Sequence, residues 1–76
     1  EWGEVFFERA LEEYKENNFR RGMLYFYWGE IYRNLSFPQK ALWAYEKAKE
    51  VLLLVDPVPT ESLATIDMMI YRVKAP

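Results

Sequence analysis

Met23-Leu24-Tyr25-Phe26-Tyr27-Trp28-Gly29-Glu30-Ile31-Tyr32 is the stretch on which the fold turns, because its first six residues are apolar or aromatic without a break. Consecutive residues of a helix point about 100° apart. Such a run cannot aim every ring at one neighbour, so the helix that carries it must be covered on more than one face. Leu24, Trp28, Ile31 and Leu35 share one side with Tyr25 and Tyr32 beside them, which predicts a helix from about Arg20 to Leu35.

Working outward, Phe7, Ala10, Leu11 and Tyr14 recur at helical spacing between Trp2 and Asn17, with Glu4, Glu8, Glu12 and Glu16 opposite. Asn17 and Asn18 are expected to end that segment, since Asn tolerates the left-handed conformation that closes helices. Downstream, Ser36-Phe37-Pro38-Gln39 reads as a helix start, with Ser36 as cap, Gln39 returning the bond and Pro38 in the first turn. The third helix is expected to run to about Val55 on the stripe Ala41, Tyr45, Ala48, Leu52 and Val55, with Ala44 and Val51 alongside. Asp56-Pro57-Val58-Pro59 breaks the pattern. Thr60 is then expected to cap a fourth helix, Glu61 to Val73, that groups Leu63, Ile66, Ile70 and Val73. Short links favour antiparallel neighbours, so the expectation is one all-α domain over 1–76.

Composition narrows the function classes. The 76 residues are 51% hydrophobic and 18% aromatic, which excludes intrinsic disorder, and every helix must contribute to one shared core. A net charge of −2 and a pI near 5.1 give no basic footprint for nucleic acid and no polybasic anchor for lipid. The longest apolar run, Val51 to Val55, falls far short of the ~20 residues that span a bilayer. Without cysteine, stability must come from packing, and a reducing cytoplasmic setting is expected. No leader resembling a signal peptide is read, and Glu1 in place of Met fits a processed product, an excised fragment or an engineered chain.

Two self-matches recur along the chain. Arg9-Ala10-Leu11 with Tyr14 echoes Lys40-Ala41-Leu42 with Tyr45, and Leu24 with Ile31-Tyr32-Arg33 echoes Leu63 with Ile70-Tyr71-Arg72. The offsets, 31 and 39 residues, are unequal, and the helix order reads B-A-B-A. Tyr25-x-x-Trp28-Gly29-x-x-Tyr32 followed by Ala41-x-x-x-Tyr45 and Ala48 resembles the tetratricopeptide repeat, with one full repeat over about 22–55 and half-repeats on either side. The family's repeat-ending proline corresponds to Pro57 with an extra turn in the B helix, and Met68 departs from it by standing where a small residue is expected. Small residues at Gly29, Ala41 and Ala48 are expected to let two helix backbones approach, while Tyr32 and Tyr45 fill space between hairpins.

Catalysis has little to work with. Histidine and cysteine are both absent, and Ser36 and Ser62 have no evident activating partner. The glutamate ladder on the first helix reads as a solvated face, so no metal site and no cofactor are expected. The resemblance implies a concave groove lined by the A helices, which Met23, Phe26, Glu30, Arg33 and Asn34 would face, extended by Thr65, Met69 and Arg72. Family members that clamp a peptide carboxylate carry Lys, Arg and Asn there, a role that Phe26 and Glu30 do not suit. The expected ligand is instead an amphipathic helix or extended apolar segment of another protein, with aromatics as anchors. Trp43 lies on the polar side of the third helix, and reads either as an exposed anchor or as a lid on the last helix. The alternative expectation is a structural or engineered scaffold that self-associates, as a homodimer, with no separate ligand.

Overall fold

The computed structural model describes residues 2–75, and the side chains of 4–75, as four helices: α1 (Trp2–Glu13), α2 (Asn18–Asn34), α3 (Pro38–Leu52) and α4 (Thr60–Lys74). No strand occurs among the described residues. The helices form a slab 36 × 30 × 13 Å across its Cα atoms, with α2 against α3 as its most extensive pairing.

That pairing is built on two glycines. A Cβ placed on Gly29 would sit 2.7 Å from the Tyr45 ring, and one on Gly22 would sit 2.5 Å from Cγ and Cδ2 of Leu52. Gly22 and Gly29 are seven residues apart, as are Tyr45 and Leu52, so two antiparallel helices bring a large side chain onto bare backbone twice in register. Ala41, Ala44 and Ala48 complete the α3 face and are fully buried with Tyr45 and Leu52. Glycine inside a helix costs about 1 kcal/mol relative to alanine; here the loss is offset by dispersion contact that a methyl group would block.

The glycine face also fixes the rotation of α2. With Gly22 and Gly29 turned to α3, Trp28 and Tyr32 turn inward beside them, whereas Ile31 and Leu35, expected on the buried side, are exposed. Phe7 of α1 stacks on Trp28 with centroids 5.3 Å apart and planes 7° from parallel. On the other flank, α4 buries Ile66 and Met69 against the same core, with Leu63, Ile70 and Val73 packed at its edge.

Helix ends differ from expectation for readable reasons. α1 stops at Glu13 rather than near Asn17: its last turn has no basic residue to complement the dipole, and Glu12, Glu13 and Glu16 oppose it. Asn17 opens α2 instead, its Oδ1 accepting the Arg20 N–H at 3.1 Å. Ser36 does not cap α3. It lies at φ 66°, closing α2 in a left-handed step in which Ser36 N–H donates to Arg33 O at 3.1 Å and Phe37 N–H to Tyr32 O at 2.9 Å. The Phe37 ring meets Tyr32 edge-on at 6.3 Å, the apolar contact that accompanies this type of closure. Phe37 holds the cap position of α3 and Pro59 that of α4, neither with a side-chain cap bond, so Thr60 is the first residue of its helix and not the cap. α3 ends at Leu52 rather than Val55; Leu54 N–H and Val55 N–H bond three residues back, and this tighter turn returns Val55 to the core.

Two outcomes follow for stability. Gly29→Ala is expected to destabilise by roughly 1–2 kcal/mol in urea unfolding followed by circular dichroism, since overpacking of about 1–3 kcal/mol exceeds the helix-propensity gain; an unchanged or raised midpoint would contradict the close approach. Ser36→Gly is expected to stabilise by about 1 kcal/mol, because glycine adopts positive φ without the Cβ penalty.

Candidate functional site

α2 and α4 both run antiparallel to α3 and hence parallel to each other, leaving a crease between them. Near their first halves Met23 and Phe26 of α2 and Ser62, Thr65 and Ile66 of α4 line a recess of about 110 Å³. Near their last turns Arg33 and Arg72, with Ser36, Pro38 and Val73, line a wider hollow of about 490 Å³. Sequence offsets reproduce this pairing. Met23 and Ser62, Phe26 and Thr65, and Arg33 and Arg72 are each 39 residues apart, the interval of the second self-match.

Polar groups tie the middle of the crease to the core. The buried Tyr45 hydroxyl donates to Glu30 Oε2 at 2.9 Å, and Arg33 Nη2 donates to Glu30 Oε1 at 2.8 Å. Glu30 is thereby committed at both oxygens. Burial, and then the Glu30 carboxylate that accepts its proton in a hydrogen bond, push the Tyr45 phenol up to about 12. The same Glu30 bond raises the Arg33 guanidinium. Phe26 leans on the Tyr45 ring with centroids 5.9 Å apart and is half-buried where it lines the recess.

Among the residues expected to meet a partner, Met23, Phe26 and Thr65 therefore converge on one recess and Arg33 and Arg72 on one hollow, with Glu30 between. Asn34 is exposed and lines neither of these two cavities. Met69 is only 7% exposed and belongs to the core; burial against α3 removes it as a contact residue. Trp43 is not a lid on α4. Its ring meets Trp28 edge-on at 5.2 Å and Tyr25 at 5.9 Å, placing it above α2 in a shallow hollow shared with Glu4, Glu8 and Lys40.

The expected set lacks Ser36, Pro38 and Val73 of the hollow and two residues of the recess. Ser62 and Ile66 complete the recess, and the offset of 39 from Met23 identifies Ser62, whereas Ile66 enters through the rotation of α4. The glutamate ladder is not one uniform face: Glu4 Oε2 accepts from Tyr32 at 2.8 Å and lies 4.0 Å from Lys40 Nζ, while Glu12 pairs with Lys15 at 3.5 Å. No helix among the described residues is long and apolar enough to cross a membrane. No family model matches the chain, and no curated protein or solved structure matches it.

The Tyr45 proton carries a pH signature. An unfolded tyrosine ionises near 10, so the folded state holds the neutral form more tightly. Its contribution is full below pH 10 and is lost as pH rises from 10 towards 12. Urea midpoints of the wild type should fall more steeply over that interval than those of Tyr45→Phe; parallel slopes would show that Tyr45 titrates normally.

Proposed function

We propose that the chain is a non-enzymatic protein-interaction module, related in its packing to tetratricopeptide hairpins, that takes a helical or extended apolar segment of a cytoplasmic partner along the α2–α4 crease. The observation that carries this reading is the apolar recess formed by Met23, Phe26, Thr65 and Ile66, backed by a rigid core and open at its rim. A recess with a fixed floor admits an apolar side chain with little ordering cost. Arg33, backed by Glu30, and Arg72 would set the register of the bound segment.

A second reading, a scaffold that associates only with its own copies, draws on the apolar residues left uncovered on the outer helices, among them Tyr71 at 73% and Phe6 at 64% exposure. The two readings separate in one experiment. Thr65→Arg places a long charged chain at the rim of the recess without touching the core, and Glu46→Arg makes a comparable change on the exposed side of α3. Partner capture from lysate should fall at least tenfold, about 1.4 kcal/mol, with Thr65→Arg and not with Glu46→Arg, both variants keeping wild-type helicity. Equal capture by all three proteins would remove the crease as the binding surface.

A further inference from the structure

We infer that the crease between α2 and α4 accepts the outer face of α1 from a second copy of this chain, giving a head-to-tail association. This rests on the reading of the crease as a helix-binding surface and names one occupant for it. Along α2 the crease runs apolar, acidic, basic: Phe26, Glu30, Arg33. The outer face of α1 runs apolar, basic, acidic: Phe6, Arg9, Glu13. All three α1 residues are exposed, and neither Arg9 nor Glu13 has a hydrogen bond or ion pair among the described residues.

The spacings coincide. Phe6 to Glu13, Phe26 to Arg33 and Thr65 to Arg72 are each seven residues, about 10 Å or two helical turns. A docked α1 lying parallel to both walls would set Phe6 over the recess of Met23, Phe26 and Thr65, Arg9 beside Glu30, and Glu13 between Arg33 and Arg72. Opposite charges then meet at two successive positions, whereas a slip by one turn places Arg9 against Arg33. Glu13 is placed to accept charge-assisted hydrogen bonds from two guanidinium groups, that of Arg33 keeping its bond to Glu30. Because the two surfaces are different patches, the contact is heterologous and a dimer keeps one free α1 and one free crease, so association continues beyond a dimer.

Sedimentation equilibrium over a wide concentration range, at low and high salt, tests this with Glu13→Arg, Arg72→Glu and the double variant. Both sites are exposed, so wild-type helicity is expected throughout. The wild type should show average mass rising with concentration and falling with salt. Each single swap should weaken association at least tenfold, and the double variant should recover part of it, since Arg33 remains opposite position 13. Mixing the two single variants should restore association, because the α1 of Arg72→Glu and the crease of Glu13→Arg are both wild type at that contact. A wild type that stays monomeric, or association that ignores both swaps, would overturn the inference. In either case loss of partner capture by Thr65→Arg would leave the interaction reading standing, and intact capture would remove it.

Discussion

The approach of the Tyr45 ring to the bare backbone of Gly29 is the constraint from which the rest of this structure follows. A ring that close needs a residue without a side chain beneath it, and the second contact, Leu52 on Gly22, repeats the demand two turns away. Together they lock α2 and α3 in register and in rotation. Trp28 and Tyr32 are then aimed at α1, Phe26 and Met23 at the flank where α4 lies, and Ile31 and Leu35 at solvent.

The same contact shapes the candidate site. Tyr45 crosses the interface to reach Glu30, its ring supports Phe26, and its hydroxyl occupies one oxygen of the carboxylate whose other oxygen holds Arg33. Core and crease are therefore one unit. A side chain that fills the gap between two backbones also fixes an acidic and a basic group on the surface above it, so the polarity of the crease is set by packing beneath it.

Much of this was legible in the residue pattern because the strongest signals were steric. The stripe from Ala41 to Leu52 identified the buried face of α3, and Gly29 with Ala41 and Ala48 identified the close pairing. Gly22 escaped notice because it precedes the aromatic run and has no motif of its own, although its seven-residue distance from Gly29 carries the information. Ile31 and Leu35 were placed wrongly because hydrophobicity reports what is able to be buried, while helix rotation is decided by where small residues admit a neighbour; Met69, put on the groove by the resemblance, is turned into the core by the rotation of α4. Ser36 and Asn17 illustrate a similar ambiguity, since both residue types serve either end of a helix and only the backbone angle distinguishes the roles. The tie that fixes the charges of the crease was not readable, because Glu30 looks free in sequence and is held by a residue 15 positions away.

Nuclear Overhauser contacts offer the most direct test of the central claim. Strong cross-peaks are expected from the Gly29 α-protons to the Tyr45 ring, with the Gly29 α-protons shifted by the ring current, and from the Gly22 α-protons to the Leu52 methyls. Absence of both sets in a protein whose helices are otherwise intact would contradict the glycine-mediated pairing of α2 and α3, and with it the placement of the crease.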